Sequence, residues 1–227
     1  NLQFIVDYFK SDKPPSGKKV ALAIHTVELN NTRFKYDDER KDQKDFGIDF
    51  GHLDVSNVNG TLEHISIVGS DIKAKITNFS AYEKSGLDLK SITTEASVGK
   101  NGIYLSNAII DINDSKLNTP KFNLIYSGFD DLSHFVDSVK FDGQLEESTV
   151  SMKDVSLFAS TLEGMEEIVQ VKGNVSDVVN NLKIRDLDLR IKDRTRLRGS
   201  FDLPNFAKLD EASIKQNLDY AYVDLKE

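Results

Sequence analysis

The 227-residue chain is 39 % hydrophobic, carries 37 Asp and Glu against 29 Lys and Arg, and has no cysteine. An acidic net charge of -8 repels nucleic acid and anionic head groups, so nucleic acid is not an expected partner and any membrane role must come from apolar surface. The missing thiols exclude disulfide frameworks, thiolate metal centres and cysteine nucleophiles.

Asn1-Leu2-Gln3-Phe4-Ile5-Val6-Asp7-Tyr8-Phe9 spaces apolar residues at helical intervals behind a capping Asn, predicting a short amphipathic helix. Ser11-Asp12-Lys13-Pro14-Pro15-Ser16-Gly17 ends it, so residues 1–17 read as helix and linker, and 18–227 as one strand-rich unit. No run approaches the roughly 18–20 apolar residues of a spanning helix, and no basic-then-apolar signal peptide opens the chain. An anchor or signal is therefore expected outside it, in a longer parent protein.

From Val20 onward, short alternating runs are broken by Asn, Asp, Gly and Ser, as in strands joined by tight turns. Two interruptions stand out: a charged, solvated loop at 37–49, and a second short amphipathic helix at 130–139 with acidic residues in its first turn. The strands carry an irregular repeat: apolar, any, apolar, any, Asn or Asp, then a new run. It appears as Val27-Glu28-Leu29-Asn30-Asn31, Leu53-Asp54-Val55-Ser56-Asn57, Ala74-Lys75-Ile76-Thr77-Asn78 and Ile103-Tyr104-Leu105-Ser106-Asn107. Val150-Ser151-Met152-Lys153-Asp154 and Leu182-Lys183-Ile184-Arg185-Asp186 use aspartate, and Leu87-Asp88-Leu89-Lys90-Ser91 is a weaker copy.

In each copy the parity of the apolar positions flips at the Asn or Asp. A regular strand would then send the second run to the opposite face. Keeping both runs on one face requires a bulge or bend, where Asn and Asp tolerate left-handed backbone. Asn57, Asn78, Asn107, Asp154 and Asp186 are therefore expected at bulges, bends or strand breaks. The alternative is an ordinary turn between two short strands of a sandwich.

On the bent-strand reading, Ile72, Ala74, Ile76, Ile103, Leu105, Ile110, Ile112, Val150, Met152, Leu182, Ile184, Leu187, Leu189 and Ile191 line one apolar trough, because each is the inward member of an alternating run. The fold class expected is all-β: an elongated, mostly antiparallel sheet folded as a groove, with one or two short helices.

Catalytic chemistry is not expected. His25, His52, His64 and His134 lack metal-ligand spacing, and no phosphate loop, dinucleotide fingerprint or nucleophile elbow is present. Asp111-Ile112-Asn113-Asp114 departs from the EF-hand spacing and reads as a solvated loop. No cofactor is called for. Arg190, Lys192, Arg194, Arg196 and Arg198 form a locally basic stretch that alternation places on an outer face, where opposite charges pair across strands.

Several stretches resemble the TamB proteins of Bacteroidetes, members of the AsmA-like repeating β-groove bridge proteins. They are the Asn1 to Phe9 run quoted above, Leu29-Asn30-Asn31-Thr32-Arg33-Phe34-Lys35-Tyr36, Glu83-Lys84-Ser85-Gly86-Leu87-Asp88-Leu89 and Phe129-Asp130-Asp131-Leu132. Leu162-Glu163-Gly164-Met165, Asn181-Leu182-Lys183-Ile184-Arg185-Asp186-Leu187-Asp188-Leu189-Arg190 and Thr195-Arg196-Leu197-Arg198-Gly199 extend the likeness over nearly the whole chain. The resemblance implies a β-taco groove in the periplasm, an inner-membrane tether, and docking on a BamA-like outer-membrane barrel through regions outside this chain. It also implies phospholipid acyl chains as cargo and a role in outer-membrane biogenesis. The alternative is a non-conducting structural spacer whose apolar face is closed by its own helices.

Overall fold

The alternating runs form eleven strands that pair strictly in chain order, every pair antiparallel, in one open sheet. They are β1 (Ala21–Asp37), β2 (His52–Val68), β3 (Asp71–Glu83), β4 (Leu87–Gly99), β5 (Gly102–Ile112), β6 (Ser115–Ile125), β7 (Lys140–Ser151), β8 (Ile168–Val178), β9 (Asn181–Ile191), β10 (Thr195–Pro204) and β11 (Lys215–Val223). The computed structural model describes residues 21–158, 160–192, 194–206 and 211–223; the helix and linker expected at 1–17 lie outside them. The segment expected as the second helix is a 3-10 turn, Phe129–His134, running into a one-turn helix α1 (Phe135–Ser138). A second short helix, α2 (Met152–Ser156), follows β7.

Side-chain parity turns over part-way along the strands. Asn31, Asn57, Asn78, Asn107 and Asp186 all take left-handed backbone, with φ of 47°, 51°, 50°, 51° and 53°. Once one strand flips, its neighbour must flip at the same height, or apolar side chains would sit opposite polar ones. The breaks therefore line up. Gly60, Gly173 and Gly199 hold φ of 145°, 152° and 150° and press against the next strand's break, at Phe79, at Asp186–Leu187 and at Asn217–Leu218 respectively. In β6 the break is Pro120, bracketed by the pairs Ser106 with Lys121 and Ala108 with Thr119, the one kind of place an inner strand tolerates proline. The result is a crease running across the whole sheet.

Asp154 departs from this pattern. It lies inside α2, after β7 has ended, because its carboxylate is drawn to the neighbouring hairpin, accepting from Ser115 Oγ at 2.6 Å and the Asp114 amide at 3.1 Å. Met152 leaves the sheet with it, its amide donating to the Glu167 carbonyl at 2.9 Å.

The crease has a direct test. Asn107→Val is expected to cost about 1–3 kcal/mol, the strain of a β-branched residue in left-handed backbone, whereas Asn107→Gly should stay within about 1 kcal/mol of the parent. Equal urea midpoints for parent and valine variant would remove the crease as an explanation of the repeat.

Candidate apolar groove

Directly paired residues share a face, so the register shows what each face carries. On one side of the crease, Ala74, Ala96, Leu105, Phe122, Gly143, Val175, Ile184 and Phe201 pair in succession from β3 to β10. Two residues nearer the hairpin ends, Leu22, Ile67, Ile72, Val98, Ile103, Leu124 and Phe141 form a second apolar row from β1 to β7, and Leu182 pairs with Leu203 farther along. Beyond the crease the inward rows are Phe79, Ile92, Ile110 and Leu117, then Val171, Leu189 and Leu197. Ile112 pairs with Leu89, and Val150 with Val169. The predicted trough residues on the strands thus fall in shared inward rows.

Between the two apolar rows runs an outward row of the opposite character: Lys73, Ser97, Tyr104, Asn123, Asp142, Ser176, Lys183, Asp202 and Lys215. Its neighbours pair charges across strands, as Lys75 with Glu63 at 3.2 Å, Lys121 with Asp142 at 2.8 Å and Lys172 with Glu146 at 2.9 Å. The basic stretch behaves the same way. Asp188 accepts from Arg196 at 2.8 Å and from Arg190 at 3.4 Å, and the Arg196 guanidinium holds its carboxyl below the usual carboxylate range.

Of the fourteen trough residues only Leu187 is buried; the other thirteen are half-buried. A sandwich core would seal such side chains against a second sheet. Here the inward face stays partly accessible, and a depression of about 240 Å³ near Arg185, Asp202 and Asn217 is polar and smaller than an ordinary ligand pocket of roughly 300–1,000 Å³.

The crossing ends of the strands form two stitched rims. On the rim at the start of β2, Glu83 accepts the Asp54 and Ser85 amides, Asn113 donates to the Gly86 carbonyl and accepts the Asp88 amide, and Asp154 takes Ser115 and Asp114. Asn113 is thus a rim tie. On the other rim, Tyr126 donates to the Gly99 carbonyl at 2.8 Å, the Asn180 amide donates to Val136 at 3.1 Å, and that of Asn205 to Asn180 at 2.7 Å.

The loop between β1 and β2 is not the solvated loop its charges suggest. Ile48, Asp38, Asp49 and His52 are buried. Burial pushes the Asp49 carboxyl up, but the Lys44 amide, the His52 ring and the Gly51 amide outweigh it, leaving it below the ordinary range. The Arg40 guanidinium holds Asp38 at about 2. The far side of the loop reaches α2, where the Ile48 amide donates to the Leu157 carbonyl at 2.8 Å. Phe50 then stacks on Phe135 of α1, with ring centroids 6.0 Å apart and planes 15° apart.

That stack joins opposite rims. Phe50 belongs to the rim that starts β2, and Phe135 to the rim that starts β7; β6 alone, with 11 residues, would hold its two ends about 36 Å apart if straight. The sheet is therefore folded at the crease, and the rings close its mouth above Phe141 and Phe122, which meet Phe135 and each other edge to face at 5.7 and 5.8 Å. The bridge is weak: one aromatic pair at about 0.5–1.5 kcal/mol and one backbone hydrogen bond at about 0.5–1.5 kcal/mol.

Other chemistry is sparse. His25 and His64, far apart in sequence, meet edge to face at 5.7 Å, yet among the described residues no three His, Asp or Glu side chains converge as for a metal. No helix among them is long and apolar enough to cross a membrane. Comparison with protein-family models, with curated proteins and with solved structures gives no match.

Proposed function

We propose that this chain is a non-enzymatic groove segment of a TamB-like bridge protein in the periplasm, carrying phospholipid acyl chains along its inward face. The observation that supports this reading is the continuity of half-buried apolar rows over most of the sheet, from Leu22 on β1 to Phe201 on β10. Accessible apolar surface of that extent on a soluble chain normally has a ligand or partner. Each methylene laid fully against it gains up to about 0.8 kcal/mol, while the charged head group stays in water because its desolvation is costly. The inner-membrane tether and the BamA-like barrel belong to regions outside this chain, and outer-membrane biogenesis is the process served.

A photo-crosslinking residue at Leu105 in the parent protein should give lipid adducts in cells, and one at outward Lys75 should not. Equal labelling at the two positions, or none at either, would overturn the conduit. The spacer reading has one observation in its favour, the Phe50–Phe135 bridge over the mouth, and it is the reading left standing if neither position labels.

A further inference from the structure

A lipid whose tails lie in an open groove moves with its head group above the mouth, and here the mouth is crossed. Nothing bulkier than the tails passes under the Phe50–Phe135 stack without displacing it. The crossing segment is built unevenly. At its base it is tied to the sheet: the Asp38 amide donates to the Gly51 carbonyl at 2.8 Å, and buried Asp49 gathers the Lys44 and Gly51 amides and the His52 ring. Its far end rests on the Ile48–Leu157 hydrogen bond and the ring stack, and Phe50 is 43 % exposed. Residues 39–45 between them are all exposed and mostly charged, so they hold nothing down. Gly47 fits against α2 with no room to spare, a Cβ there falling 2.6 Å from the Leu157 carbonyl oxygen.

We propose, on the lipid-groove reading, that residues 38–51 are a gate hinged at β1–β2 and latched on Leu157 and Phe135, which opens to let each head group pass between β3 and β9. Contacts of this size keep an open minority state at roughly 0.1–10 %.

The chain has no cysteine, so Phe50→Cys with Phe135→Cys supplies the one thiol pair of this region, to be bridged by a short bis-maleimide in the parent protein in cells. Photoreactive residues at Ile72 and at Leu189 report lipid on the two sides of the latch. With the latch bridged, adducts should fall about tenfold at one of these positions and persist at the other; each single-cysteine control should label both. Gly47→Ala, which pushes the segment off α2, should raise labelling on the depleted side. Adducts unchanged at both positions in the bridged protein would make the segment a fixed roof and overturn the gate while leaving the groove intact. Loss at both positions on bridging would assign the pair to holding the groove's shape and likewise overturn it. No labelling in the unbridged controls would sink the lipid groove and the gate together.

Discussion

Gly199→Val is expected to detach β11 from the sheet. A Cβ at this position lies 2.2 Å from the Asn217 carbonyl oxygen and 2.9 Å from Leu218 Cα, both backbone atoms that cannot swing aside. The φ of 150° adds strain of about 1–3 kcal/mol for any residue with a Cβ. Because β11 pairs only with β10 among the described strands, the structure has no second contact to hold it while the clash relaxes. The loss should exceed about 3 kcal/mol if the strand stays paired, so the strand releases instead. Hydrogen exchange reads this directly: amides of β11 that bond to β10 should lose protection while those of β4 and β5 keep theirs. Gly69→Ala, with φ of 63° and open space around the new methyl, should cost only about 1–2 kcal/mol and leave β11 protected. Full protection of β11 in Gly199→Val would mean that the crease tolerates a Cβ and is not set by glycine.

Leu105→Arg is the second large effect, and it falls on function. Leu105 pairs with Ala96 and Phe122 in the longest apolar row and is half-buried. A guanidinium placed there reaches the open mouth along its apolar stem, so the fold should lose no more than about 1–2 kcal/mol. An acyl chain crossing that point would have to desolvate the charge. Lipid adducts at Ile184, farther along the same row, should fall at least about tenfold, equivalent to about 1.4 kcal/mol, with the far-UV spectrum unchanged. Lys75→Arg on the outer face should leave adducts at the parent level, since the ion pair with Glu63 survives the change. An unfolded Leu105→Arg protein would point to a sealed core and to the spacer.

Much of this fold is legible locally. The period of two, the Asn and Asp punctuation and the parity switch are all properties of fewer than ten consecutive residues. They sufficed to place left-handed backbone at Asn57, Asn78, Asn107 and Asp186 and to group Leu182 and Ile184 with Leu187 and Leu189 on one face. Asp154 carried the same local signal and went into a helix, because its partners Ser115 and Asp114 lie 39 and 40 residues away. The loop at 37–49 was misjudged for the same reason. Its charges look solvated in sequence, yet Asp38 finds Arg40 beside it and Asp49 finds two amides and the His52 ring only once the loop has closed.

By itself the sequence determined the strands, their inward and outward faces and the heights at which they bend, because alternation and turn chemistry act between near neighbours. Only the tertiary structure decided that the bends align into one crease and that Phe50 meets Phe135 across the mouth. Twist and bend accumulate from strand to strand, and where two rims 85 residues apart in the chain come together is fixed by that sum, which no short stretch of residues encodes.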